Sequence, residues 1–365
     1  MVSFLFQISD WISNPTILKI VTNPYLLFAV GLVLLIKGGD WFVDGASGIA
    51  QKFHVPEILI GATVVSIGTT LPEVMVSAGA AFRGNSGIAY GNALGSIICN
   101  TALIAALTIA IRPSKAQRKP LLLPVTFFFL AAAVYVAVAY VTKDFSRVVG
   151  ILLLCMFVVY MVLTVRQALK GARKASADSG AKRNAEEFSS EISGQEAAEE
   201  AVQSRSAVLL LVLLAVGAAL IAVGADLLVD NAEIIASNFG VPDSVIALTI
   251  VALGTSLPEL VTAVTSLVKG HSSLSLGNII GANLFNLVLV SGTAITIRPF
   301  GVPCERTLAG INTSLLVDIP VAFFVMLILT IPTLRREKLS RWQGIVLLAT
   351  YAAFVTFQVI SAVCL

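Results

Sequence analysis

Residues 61–100 and 247–286 are one segment written twice. The first reads GATVVSIGTTLPEVMVSAGAAFRGNSGIAYGNALGSIICN, the second ALTIVALGTSLPELVTAVTSLVKGHSSLSLGNIIGANLFN. A constant shift of 186 aligns them without a gap, and thirteen of forty positions are identical. The identities fall on Gly68/Gly254, Thr69/Thr255, Pro72/Pro258, Glu73/Glu259, Gly91/Gly277, Asn92/Asn278 and Asn100/Asn286, not only on apolar residues. The same shift pairs Asp40 and Asp44 with Asp226 and Asp230, Val55-Pro56 with Val241-Pro242, and Arg112-Pro113 with Arg298-Pro299. Chance similarity between apolar helices would match Leu, Val and Ala; it would not keep Gly, Pro, Glu and Asn in register.

What surrounds the repeat is apolar. Of the 365 residues, 57% are hydrophobic and 12% charged, about half the charge of an average soluble domain. So few charges cannot cover a water-facing surface, and the mean hydropathy of +0.92 agrees. Crossing a bilayer as helix takes roughly 20 apolar residues, because each backbone polar group must be satisfied within the segment. Ten spans are predicted, near 25–51, 56–81, 87–111, 120–142, 147–168, 206–233, 242–268, 273–297, 314–334 and 343–363. The expected fold is an all-α polytopic membrane protein of ten transmembrane helices. Five spans fall in each repeat, and an odd number forces the second copy to enter the membrane upside down. Inverted repeats of this kind build transporters with their site where the copies meet.

The expected divisions are a lead-in over 1–24, a first five-helix repeat over 25–168, a polar linker over 169–205 and a second repeat over 206–365. The lead-in lacks the basic start and small-residue cleavage site of a signal peptide. Seventeen Lys and Arg lie in the connections after odd-numbered spans and six on the other side. Positive residues stay in the cytoplasm, so the linker is expected there and both termini outside, in the cell membrane. Cys99, Cys155, Cys304 and Cys364 form no close pair and no metal-spaced cluster. A net charge of +3 suggests no nucleic-acid partner; the lipid bilayer is the expected surrounding, and a single chain the functional unit.

Gly68-Thr69-Thr70-Leu71-Pro72-Glu73 and Gly254-Thr255-Ser256-Leu257-Pro258-Glu259 fall near the middle of spans two and seven. A mid-helix proline lacks an N–H and clashes with the carbonyl four residues back, so a helix break is expected in each copy. A glutamate at that depth must be paired, protonated or bound to a cation. Carboxylates, hydroxyls and freed carbonyls together are hard oxygen ligands, suited to Ca2+ and Na+ and poorly suited to zinc or copper. Asn92, Ser96 and Asn100 recur every four residues on one face of the third span, as do Asn278, Ala282 and Asn286 on the eighth. Both sets admit either an ion path or interhelical hydrogen bonding. For Asp40, Asp44, Asp226 and Asp230, gating or structural pairing is expected, with Lys37 one turn from Asp40 as a partner. Glu57 and Asp243 read as first-turn acids that complement a helix dipole. His54 and His271 read as surface residues, and Asp318 has no acidic counterpart.

These motifs, paired G-T-[ST]-L-P-E and G-N-x-x-G-[SA]-x-x-x-N, resemble the alpha repeats of the cation/calcium antiporter superfamily, in its prokaryotic sodium/calcium exchanger branch. The resemblance covers essentially the whole membrane part. It implies helices 1 and 6 sliding over a core of helices 2–5 and 7–10, with Na+ and Ca2+ competing for midplane sites and no cofactor. It implies Glu73 and Glu259 as central carboxylate ligands, with Thr69, Thr70, Thr255 and Ser256 beside them. It further implies backbone carbonyls of Ser66 and Ala252, and side chains of Ser96, Asn100 and Asn286. Many such exchangers carry Asp at the Asn286 position and Ser at the Ala282 position, so two carboxylates remain here. A proton/calcium antiporter and a cation channel are the alternatives. No nucleophile with a base and no His-containing metal motif points to an enzyme.

Overall fold

The computed structural model describes residues 22–183, 206–239, 254–303, 307–308 and 311–364. Its helices are α1 (Pro24–Lys52), α2 (Glu57–Arg83), α3 (Ser86–Ile111), α4 (Arg118–Val141), α5 (Arg147–Arg183), α6 (Ala207–Asn238), α7 (Leu257–Val268), α8 (Ser272–Ile297), α9 (Ser314–Arg336) and α10 (Arg341–Cys364). Among the described residues, nine helices are long and apolar enough to cross a membrane, and α7 is a shorter apolar one. The upstream part of the expected seventh span lies outside the described residues. So do most of the lead-in and residues 184–205 of the expected linker; residues 169–183 continue α5 as helix.

Helix ends follow local chemistry. The Asn23 side chain accepts from the backbone N–H of Tyr25 (2.9 Å) and Leu26 (3.2 Å), and Pro24 supplies the fixed φ of a first turn. At the other end of α2, Gly84 turns left-handed at φ 85°, and Gly270 does the same after α7 at φ 87°. The bonds that close the two caps are equivalent: Asn85 N–H to Ala80 O, and His271 N–H to Ser266 O. The repeat is thus kept in backbone geometry as well as in sequence.

The centre of the bundle is α3 and α8. In its most apolar stretch α8 is 83% buried, whereas α10 is 17% buried. Exposed Val141, Val148, Val208 and Ile345 on the outer helices have lipid as their solvent. Two apolar clusters form. The larger joins residues of α2–α5 and α7–α10 around Phe128, Tyr160, Phe285 and Met326. The smaller joins Leu35, Phe42, Val43 and Ala46 of α1 to Leu210, Ile221 and Ala225 of α6, with Ile60 and Val65 of α2 and Leu274 of α8 beneath. Helices α1 and α6 are therefore a layer of their own laid over the rest.

That layer is held by a glycine seam. Gly31, Gly38 and Gly45 of α1 recur every seven residues opposite Gly217 and Gly224 of α6. A Cβ on Gly38 would stand 2.9 Å from the Gly217 carbonyl oxygen, and one on Gly224 would stand 2.8 Å from that of Gly31. The two backbones touch, as small residues permit inside a membrane. Short backbone pairings tie the halves at opposite ends of the bundle. Asp144–Phe145 (β1) pairs antiparallel with Phe300–Gly301 (β2), and Lys115 bridges Lys338. A second hairpin joins Thr307–Leu308 (β3) to Ile311–Asn312 (β4).

Gly38→Leu is expected to lower the thermal midpoint of the detergent-solubilised protein, because a side chain forced into backbone contact costs about 1–3 kcal/mol. Gly79→Ala should leave it within error, since its Cβ would meet only the Arg83 guanidinium at 3.7 Å. A scan of both variants by fluorescence-detected gel filtration decides.

Candidate ion site

Helix α2 turns Ser66, Thr69, Thr70, Glu73 and Ser77 to one buried face, at the three- and four-residue spacing that stacks side chains along a helix. Helix α7 turns in Ser256, Glu259, Thr262 and Ser266. Both glutamates are fully buried, and their carboxylates are close enough to repel each other. The expected break occurs in one copy only. Pro258 stands at the start of α7, with Ser256 as cap and Glu259 in the first turn. Pro72 instead lies inside continuous helix from Ser66 to Arg83. A proline removes one ladder bond and fits a first turn without strain, so each copy adopts one of the two solutions open to it. At Glu259 the first turn adds free backbone N–H groups and the positive end of a helix dipole.

Helices α3 and α8 form the other walls. Ser96, Asn100, Asn278 and Asn286 are buried, and Asn100 and Asn286 each open a π-helical turn, Asn100–Ala105 and Asn286–Val290. A further π-turn, Gly61–Val65, lies in α2. Such turns hold one extra residue and cluster at functional sites. Their carbonyls find partners: Ser291 Oγ donates to Asn286 O (3.1 Å), Ser66 Oγ to Gly61 O (2.7 Å), and the Tyr160 hydroxyl of α5 to Ala62 O (2.8 Å). Nothing in composition or spacing announces a π-turn, and nothing in the sequence marks Tyr160 as a partner of one.

Contacts across the two halves fix the walls. Ser66 Oγ donates to Asn278 O (3.0 Å) and lies 3.3 Å from Asn278 Oδ1, and Thr69 Oγ1 donates to the same oxygen at 3.3 Å. Thr69 and Thr70 interact with the Glu259 carboxylate, although neither closes a hydrogen bond of full geometry on it. Asn92 donates to Glu73 O (3.1 Å) and Ser77 Oγ (2.9 Å), which anchors α3 to α2. Of the residues expected at the site, Glu73, Glu259, Ser66, Thr69, Thr70, Ser96, Asn100, Asn286 and Ser256 are buried, and Thr255 is half-buried. Ala252 lies outside the described residues.

Among the described residues thirteen buried side-chain oxygens have no hydrogen-bond partner, and eight of them belong to the residues expected at the site: both of Glu73, both of Glu259, and one each of Thr70, Ser256, Asn100 and Asn286. Buried polar atoms are almost always paired, and leaving one unpaired costs about 1–3 kcal/mol. A cluster of them is therefore built for a guest. Ca2+ takes oxygen ligands, roughly six to eight of them, so carboxylates, hydroxyls and amide oxygens match a hard cation in kind.

The halves are not closed equally. Asn278 is fully buried, whereas its counterpart Asn92 is half-exposed. A Cβ on Gly277 would stand 2.9 Å from Ile58 Cα, and one on Gly281 would stand 2.6 Å from Ala62 Cα, so α8 lies backbone to backbone on α2. At Gly91 and Gly95 an added Cβ meets nothing within 4 Å among the described residues, which do not include 244, 248 and 252, the counterparts of Ile58, Ala62 and Ser66. The outer acids are placed differently from expectation. Asp40 and Asp44 pair with Lys269 at 3.4 and 2.8 Å, not with Lys37, which is exposed. His271 is no surface residue: half-buried, its Nδ1 lies 2.7 Å from Glu57 Oε1. Asp318 accepts from Gln358 at 2.8 Å.

A helical bundle made of two inverted repeats, with paired carboxylates and unpartnered hard oxygens at its centre, has the architecture of a secondary cation transporter. The model of the sodium/calcium exchanger protein family matches residues 23–166 and 209–360. The chain is 32% identical to the sodium/calcium exchanger MaX1 of Methanosarcina acetivorans over 362 residues, covering 92% of this chain and 98% of that protein. It is 34% identical to an uncharacterized membrane protein of Methanocaldococcus jannaschii over 333 residues, with 89% and 94% covered. Among solved structures it is similar to the sodium-calcium exchanger NCX_Mj soaked with Na+ and Sr2+, at a TM-score of 0.70 and 32% identity over 91% of this chain and 98% of that one. The chain belongs to the sodium/calcium exchanger protein family, whose members are transporters and not enzymes.

Thr69→Val and Asn278→Ala remove opposite ends of one side-chain contact across the halves, Thr69 Oγ1 to Asn278 Oδ1. A double-mutant cycle on their unfolding in mixed micelles is expected to give a coupling of about 0.6 kcal/mol, the ordinary value inside membranes; additive losses would mean the two side chains do not cooperate.

Proposed function

We propose that this protein exchanges Ca2+ for Na+ across the membrane by alternating access, with Glu73 and Glu259 as the ligands common to both ions. The observation that carries this reading is the pair of fully buried carboxylates whose oxygens, with those of neighbouring side chains, have no hydrogen-bond partner. Two carboxylates neutralise one Ca2+, and several Na+ ions satisfy the same oxygens. With no ion bound, two desolvated like charges make the interconversion of outward and inward states unfavourable. That penalty couples the two fluxes. Names of the relatives, sodium/calcium exchanger MaX1 and the sodium-calcium exchanger NCX_Mj, support the choice of ions.

Asn100 and Asn286 complete the ligand set as neutral amides, with Thr69, Thr70, Ser256, Thr255, Ser66 and Ser96 beside them; Ala252 is carried over from the family resemblance alone. The distribution of Lys and Arg supports a cytoplasmic linker over 169–205 between the repeats 25–168 and 206–365, and both termini outside. In that orientation the closed contact of α8 on α2 lies on the cytoplasmic half, and the half-exposed Asn92 on the outer half.

In proteoliposomes with an imposed Na+ gradient, Glu73→Gln and Glu259→Gln are each expected to abolish Ca2+ uptake; uptake retained in both would overturn the assignment of the site. A pH gradient in place of the Na+ gradient should drive no uptake by the native protein, and uptake there would mark a proton/calcium antiporter. Asn286→Asp adds a third carboxylate and is expected to tighten Ca2+ by about tenfold, the change that a charged ligand worth about 1.4 kcal/mol brings, as read by Ca2+ titration of transport.

A further inference from the structure

Asp40 and Asp44 of α1 and Asp226 and Asp230 of α6 are one pair of positions met twice. The basic residues that close α2 and α7 are also one position: Arg83 stands 186 residues before Lys269. The repeat therefore contains two equivalent clusters of one cation and two acids, and the structure joins only one. Lys269 Nζ lies 2.8 Å from Asp44 Oδ1 and 3.4 Å from Asp40 Oδ1, and donates to Asp40 O at 3.0 Å. Arg83 is exposed and its guanidinium lies over Gly79, one turn back on its own helix. Asp226 and Asp230 are exposed, one turn apart, and carry no ion pair or hydrogen bond among the described residues.

Packing differs between the copies in the same sense. Gly39 of α1 sits on α7, where an added Cβ would stand 2.6 Å from Val261 Cγ1 and 2.9 Å from Thr265 Oγ1. The counterparts of Val261 and Thr265 are Met75 and Gly79 of α2, and Met75 is 74% exposed. The acidic end of α1 is thus docked on α7, whereas the equivalent face of α2 at Met75 is uncovered.

We propose that the two clusters are alternating latches: Lys269 holding Asp40 and Asp44 closes one side of the α1–α6 layer in the state described, and Arg83 holding Asp226 and Asp230 closes the other side in the opposite state. Each latch forms as the other opens. The seam of glycines makes the layer move as one body, so docking one acidic end withdraws the other. Acids near membrane depth are unfavourable without a cation, and exchanging one ion pair for an equivalent one keeps the two states near in free energy, as a bistable element requires. The latches are not identical, since the planar fork of Arg reaches two carboxylates at once where Lys is a point charge. That difference sets which state prevails without substrate.

This inference rests on the alternating-access reading above and has its own test. Met75→Cys is introduced with Cys155, Cys304 and Cys364 changed to Ala and the buried Cys99 kept, and labelling by a membrane-impermeant maleimide reports the uncovered face of α2. Lys269→Met is expected to lower the labelling rate about fivefold, the population change carried by a partly exposed ion pair of ordinary strength. Arg83→Met should leave labelling high or raise it, and the double variant should return it toward the parent. Apparent Ca2+ affinities at the two faces of oriented vesicles should move in opposite directions in the two single variants, since only the competent fraction binds. If Lys269→Met does not fold, Asp44→Asn opens the same latch. Shifts in the same direction, or none while exchange persists, overturn the latches. A native protein that fails to exchange Ca2+ for Na+ overturns the earlier reading instead, and the labelling result stands apart from it.

Discussion

Two carboxylates at bilayer depth are the constraint from which the rest follows. A buried charge in so apolar a medium is tolerable only with partners or a cation. The protein surrounds Glu73 and Glu259 with amides and hydroxyls but gives their own oxygens no hydrogen bond. Holding such a site open demands rigid walls, and α3 and α8 supply them at the most buried positions of the bundle. It also demands that something else move, since a rigid site must still be reached from two sides. The separate apolar cluster beneath α1 and α6 divides the molecule into a core that carries the two glutamates and a layer laid over it.

Much of this was legible in the sequence because membrane burial allows few solutions. Ten apolar stretches, a gapless repeat and an odd span count are enough to give the helical inverted architecture. Glu73 and Glu259 stood out for the same reason: an acid in the middle of an apolar span is expensive wherever it occurs. What stayed hidden depends on geometry finer than a pattern of apolar residues. The proline motif reads the same in both copies, yet Pro72 sits within helix and Pro258 begins one. Helical spacing offers Asp40 only Lys37 on its own helix, whereas the fold brings in Lys269, 229 positions away. His271 reads as a surface residue from sequence because nothing in its neighbourhood along the chain shows that Glu57 faces it.

Departure from symmetry is where a state of the molecule becomes visible. The sequence of the repeats makes the two halves equivalent; a single conformation cannot keep them so. Asn278 reaches across to Ser66 and Thr69, while Asn92 turns to its own half at Glu73 and Ser77. Equivalent residues with different partners are what a two-state element leaves behind when it is caught in one state. The buried hydroxyls of Ser77, Thr262 and Ser266 extend the polar face of each helix beyond the glutamates.

The π-turns at Asn100 and Asn286 also separate two kinds of angular information within a single rod. In an α-helix each residue advances about 100°, so the azimuth of a ligand dictates that of every apolar residue beyond it. One inserted residue resets that phase. The asparagines are aimed by the first half of α3 or α8, and the lipid- and core-facing residues after them are aimed independently. The ion site and the hydrophobic surface are thereby free to vary without turning each other out of place.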